Sequence, residues 1–143
     1  MQTSLKWAGG VAFIGSSASG HKVVIDGPPE GGGRDLGPRP MEMILLGLGA
    51  CTSYDIVSIL KKARQDITAI DIELDGKRAD TIPSVFTDIH IRFLITGRGV
   101  SETQVEKAIQ LSAEKYCSAS IMLGKTAKIT HSFQIKEAEK PAT

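Results

Sequence analysis

A chain of 143 residues with a formal net charge of +1 has room for one domain with a proper core and little more. Basic and acidic residues are mixed along it, which argues against a broad surface for nucleic acid or an anionic membrane, and aromatics at 5% argue against a stacking platform for single strands. The start, "MQTSLKWAGG", lacks the basic stretch and apolar run of a secretory signal, and the longest uncharged apolar run, Met43 to Tyr54, falls short of the ~20 residues of a bilayer span. The expectation is a single-domain cytoplasmic protein over residues 1–143, where two cysteines are more often buried, metal-binding or redox-active than disulfide-bonded.

The first segment, "SLKWAGGVAFIGSSASGHKVVIDG", reads as short strands. Val11, Phe13, Val23, Val24 and Ile25 are strand formers, and Gly9-Gly10 and "SSASG" mark turns. The Gly/Pro-rich "GPPEGGGRDLGPRP" that follows can build neither a helix nor a strand interior, and nothing before it is large enough to be a domain, so it reads as a functional loop. Pro40 suits the first residue of a helix, and Glu42 in the first turn suits its dipole. This helix is expected to run to about Lys62. It has no polar face before Ser53 to Asp55, so its first half is expected to be buried on most sides. Gly47 and Gly49 each cost about 1 kcal/mol against Ala, and with Ala50 they would let another element or another subunit cross closely.

Two alternating runs follow. "ITAIDIELDGKRA" repeats apolar residues at Ile70, Ile72 and Leu74, and "FTDIHIRFLITG" at Ile89, Ile91, Phe93 and Ile95. A period of two suits an antiparallel sheet with one buried face. In "SETQVEKAIQLSAEKYC", Ser101 and Gln104 form a capping box, and Val105, Ala108, Ile109, Ala113 and Tyr116 recur at helical spacing. Gly124 is a stop, "AKITHSFQIK" is a closing strand, and "EAEKPAT" is expected to fray. The sum is an α+β chain with a mostly antiparallel sheet, a long buried central helix and helices on one side.

The chemistry centres on the cysteines. Cys51 lies mid-helix in a small-residue, apolar stretch, and Cys117 lies at or just past a helix end. No CxxC exists, and His21, His90 and His131 have no ligand spacing with either cysteine, so no metal site is expected. Two readings of Cys51 remain open from the residues: a packed, inert thiol, or a reactive one. A reactive thiolate needs a positive neighbour. Arg34 and Arg39 stand in the loop before the helix, with Glu42 the nearest acid to orient one of them.

The stretch "GPRPMEMILLGLGACTSYDIV", the second cysteine in "AEKYCSASIML" and the closing "AKITHSF" resemble the OsmC/Ohr family of osmotically inducible and organic hydroperoxide resistance proteins, from about His21 to Phe133. The resemblance implies an OsmC-like α+β fold and an intertwined homodimer with active sites at the subunit interface. It implies a thiol peroxidase acting in oxidative-stress defence. Cys51 would be the peroxidatic thiolate and Cys117 the resolving thiol, with an organic hydroperoxide as substrate and a small or lipoyl-type dithiol as reductant. No bound cofactor and no metal is implied. The family's peroxidases place Glu directly after the helix-starting proline and draw the catalytic Arg from the N-terminal strands. Here Met41 holds the first position with Glu42 next to it, "KWAGGVAFIGS" has no Arg, and Ser118 stands where a proline usually follows the second cysteine. Arg39 is therefore the expected partner of Cys51, with Glu42 orienting it and Arg34 in reserve. A different class of function, non-catalytic small-molecule binding or redox sensing in the same cleft, is the alternative.

Overall fold

The computed structural model describes residues 1–141, so the expected fraying of "EAEKPAT" falls partly outside the described residues, at positions 142 and 143. The chain divides into two compact units, Met1–Ile44 and Leu45 onward, each taken here by itself.

The first unit holds an antiparallel three-stranded sheet of β1 (Thr3–Trp7), β2 (Phe13–Ser17) and β3 (Lys22–Ile25) in sequential order. The turn between β1 and β2 uses Gly9 and Gly10 at φ of +88° and +55°, left-handed values that a side chain resists. The "GPPEGGGRDLGPRP" segment is an ordered loop with one short 3-10 turn, Pro29–Gly31. Two features hold it. The Asp26 carboxylate, 2% exposed, accepts hydrogen bonds from the main-chain N–H of Gly27, Arg34 and Leu36 at 2.7, 3.0 and 3.2 Å. The chain also folds back so closely that a Cβ on Gly33 would stand 1.9 Å from the Gly27 carbonyl oxygen, and one on Gly37 2.0 Å from that of Val24. Only glycine fits such approaches.

α1 (Pro40–Lys62) has the bounds that its Pro start and apolar run lead one to expect. The Glu42 carboxylate accepts from the Arg39 main-chain N–H at 2.8 Å and so satisfies one open donor at the helix start. At the other end, Gln65 N–H bonds Leu60 C=O and Arg64 N–H bonds Lys61 C=O, a Schellman ending with Arg64 at φ +57°.

The second unit is a sheet of β4 (Asp66–Arg78), β5 (Phe86–Arg98) and β6 (Lys128–Glu137) in sequential order. β4 and β5 pair antiparallel; β5 and β6 pair parallel. A parallel pair needs a long crossover. It is supplied by α2 (Glu102–Leu111), a π-helical turn over Ser112–Tyr116 and α3 (Ser118–Leu123). The π-turn is where the expected single helix to Cys117 departs from its course, with Cys117 N–H bonding Ser112 C=O five residues back. Ile89, Ile91, Phe93 and Ile95 of β5 are all buried, as the period of two requires. In β4, Ile67 lies out of phase with Ile70, Ile72 and Leu74. A register shift between Ile67 and Ala69 absorbs the extra residue, so all four lie on the less exposed side of the strand.

By length and composition α1 could cross a bilayer. Its buried residues form one stripe, Leu48, Thr52, Ile56 and Leu60 with Gly49 beside it. The helix passes directly over β4, because a Cβ on Gly49 would lie 2.7 Å from Leu74 Cδ1. The expectation that the first half of α1 is buried on most sides needs correction. Leu48 is fully buried, yet Leu46 is 56% exposed, and Gly47 and Ala50 are exposed too. A sheet can cover only one side of a helix, and a single chain leaves the other side open.

Candidate functional site

Cys51, on α1, is half-buried; Cys117 is fully buried. They lie far apart in sequence, but the crossover from β5 to β6 lays the π-turn and the start of α3 against α1. The Sγ atoms of Cys51 and Cys117 and a carboxylate oxygen of Asp55 all lie within 4.8 Å of one another. Asp55 is one helical turn beyond Cys51, so the two share a face of α1. The Ser112 hydroxyl, buried in the π-turn, donates to Asp55 Oδ2 at 3.1 Å.

Cys117 caps α3, its Sγ accepting from Ser120 N–H at 3.4 Å. Thr52 Oγ1, which donates to Leu48 C=O, sits 3.5 Å from the same sulfur. Burial pushes the Cys117 thiol up, but hydrogen bonds from Ser120 and Cys51 outweigh it and hold its pKa below the ordinary thiol value. Cys51 goes the other way. The Ala119 main-chain N–H favours its thiolate, and burial together with Cys117 and the Asp55 charge outweighs that and raises its pKa. Two thiols this close titrate as a pair. A cleft of about 270 Å³ opens beside Asp55, lined by Tyr54, Ile59, Lys62, Leu111 and Tyr116 among others.

The other expected site residues belong to the N-terminal unit. The Arg39 guanidinium pairs with Asp35 at 2.8 Å and donates to Gly37 C=O. The acid that holds this side chain is therefore Asp35, while Glu42 is engaged with the Arg39 main chain. Arg34 Nη2 donates to Ala8 C=O at 2.8 Å. His90 bonds Thr130 and Ser132, His21 bonds Ser19, and His131 stacks on Phe93. Burial, then the nearby His90, lowers the pKa of His131.

Reading the sequence missed Asp55 and Ser112. Asp55 carried a usable signal, its four-residue spacing from Cys51 on one helix. Ser112 carried none, because nothing in "QLSAEKY" marks a π-turn.

Comparison with known proteins places this geometry among relatives. Residues 31–132 match the family model for OsmC-like protein. The chain is 44% identical to Protein YhfA of Escherichia coli K12 over 138 residues, covering 96% of this chain and all of that one. Among solved structures, a hypothetical protein from Aquifex aeolicus superposes with a TM-score of 0.85 at 30% identity, over 96% of this chain and 97% of that one. An organic hydroperoxide resistance protein OsmC from Legionella pneumophila superposes with a TM-score of 0.68 at 17% identity, over 94% and 97% of the two chains, a likeness of fold.

Proposed function

This chain belongs to the OsmC-like protein family, and from that premise we propose that it is a thiol-dependent peroxidase that reduces organic hydroperoxides. The observation that carries the reading is the pairing of a half-buried sulfur, Cys51, with a fully buried one, Cys117, inside 4.8 Å. A peroxide can reach Cys51. Its thiolate attacks one peroxide oxygen, the O–O bond breaks, and the alkoxide leaves as the alcohol after taking a proton, which leaves Cys51 as a sulfenic acid. The Cys117 thiolate, favoured by its hydrogen bonds, then attacks the Cys51 sulfur and displaces hydroxide, which takes a proton and leaves as water, to form a disulfide. A small or lipoyl-type dithiol supplies the two electrons that restore both thiols. An apolar substrate tail is favoured by about 0.8 kcal/mol per buried CH₂.

The working unit in this reading is a homodimer. Leu5, Trp7 and Phe13 of the first sheet, and Leu46 and Tyr54 of α1, are large apolar side chains exposed on the single chain, and a partner chain is what would cover them in this reading. A second reading, slow redox sensing without turnover, draws on the raised pKa of Cys51, which leaves less thiolate for rapid attack.

Steady-state reduction of cumene hydroperoxide by dihydrolipoamide separates the two. Turnover is expected in the native protein, with Cys51→Ser inactive and Cys117→Ser stopping after one equivalent at the sulfenic acid. One equivalent consumed by the native protein, with no further turnover, supports sensing; none consumed sinks both readings. Arg39→Ala and Arg34→Ala in the same assay report which guanidinium the reaction uses.

A further inference from the structure

Cys51, Asp55 and Cys117 combine two thiols and a carboxylate in one place, and the peroxide cycle uses only the thiols. The donor set is that of a borderline-soft divalent cation. Zinc takes thiolate sulfur at about 2.3 Å and carboxylate oxygen at about 2.0–2.2 Å in a tetrahedron. Those lengths put the two sulfurs roughly 3.8 Å apart and each about 3.5 Å from the oxygen. The three atoms already lie within 4.8 Å, so they need draw in by no more than about 1.3 Å. Cys51 can supply that movement, being half-buried where Cys117 is fixed.

The surroundings suit the task. Ser112 donates to Asp55 Oδ2 and can orient the other carboxylate oxygen. Ser120 N–H sits at the Cys117 sulfur, where such a contact steadies a metal-bound thiolate. A cleft of about 270 Å³ lies on the Asp55 side of this cluster. We infer that the reduced protein binds one Zn²⁺ per chain through Cys51 Sγ, Cys117 Sγ and an Asp55 carboxylate oxygen, with the fourth position open to solvent. Binding releases the two thiol protons, so affinity rises with pH. It also withdraws both sulfurs from oxidation, and formation of the disulfide expels the metal.

The test uses the full, reduced chain under nitrogen. Zn²⁺ is titrated in competition with a chromophoric chelator, and Co²⁺ serves as the spectroscopic probe. The expected result is one metal per chain, with intense visible bands of tetrahedral cobalt and a near-ultraviolet thiolate-to-cobalt band. Cys51→Ser and Cys117→Ser each halve that band and lower Zn²⁺ affinity by about a hundredfold; Asp55→Asn and Ser112→Ala lower it by about tenfold. Circular dichroism of each apo variant checks that it has folded. Absence of stoichiometric binding overturns the inference, and so does binding that Cys51→Ser leaves unchanged. Neither readout involves peroxide, so the site stands or falls separately from the peroxidase reading.

Discussion

The two sheets of this protein are held by different forces. Along β5, Ile91, Phe93 and Ile95 are fully buried, and the second unit is organised around them. Along β1 and β2, the apolar Leu5, Trp7 and Phe13 stand 64%, 66% and 39% exposed. The order of the first unit comes instead from hydrogen bonds and close backbone approach: the Asp26 carboxylate gathering three main-chain N–H groups, and glycines 33 and 37 pressed against carbonyls. An apolar side chain in one sheet serves stability. In the other it is a surface for something else to cover.

Phe93→Ala is the harshest test of that contrast. It should cost roughly 3–5 kcal/mol, because a fully buried ring leaves a cavity that strands and helices cannot collapse to fill. Chemical denaturation of the variant would show it, and a loss under 1 kcal/mol would mean the second core is looser than described. The same truncation at Trp7 should behave differently. On the proposed homodimer, Trp7→Ala should leave the fold of the chain intact and weaken self-association by about 2 kcal/mol or more, the cost of truncating a tryptophan that a partner chain covers. Light scattering across a dilution series reads the shift; an unchanged dimer, or a variant that fails to fold, breaks the comparison.

The mildest effect is expected at Asp26→Asn. Hydrogen exchange should quicken at the amides of Arg34 and Leu36 and stay unchanged along β5. Burial alone would raise the pKa of Asp26, but the three N–H donors and the Arg34 charge outweigh it and lower the value below 3.8. The clasp is therefore at full strength above the ordinary carboxylate range and is lost as pH falls through the lowered value. An acid titration followed at the Arg34 and Leu36 amides should show the transition below pH 3.8, and one centred above it would contradict the hydrogen bonding described.

The legibility of the chain follows the range of the interactions involved. Pro40 and the apolar run after it announce α1, and alternation announces β4 and β5, because 3.6- and 2-residue periods are local geometry. The bulge in β4 could have been read from Ile67 falling out of phase with Ile70. The parallel pairing of β6 could not, since a strand carries no local mark of its neighbour's direction. The site divides in the same way. Cys51 and Cys117 stood out by residue type, and Asp55 was within reach as the residue one turn on. Their convergence with each other and with Ser112 depends on a crossover of more than twenty-five residues and a π-turn inside it.

By itself the sequence determined the α+β class, the course of the central helix, the buried face of β5 and the identity of the two sulfurs. Each of these rests on periodicity or on residue chemistry, which a linear string displays. Only the tertiary structure decided that Asp55 stands beside the two thiols. Only it decided that Arg39 pairs with Asp35, and that half of α1 faces outward. Those outcomes depend on which surfaces the fold brings within a few ångströms, and distance in space is not written in distance along the chain.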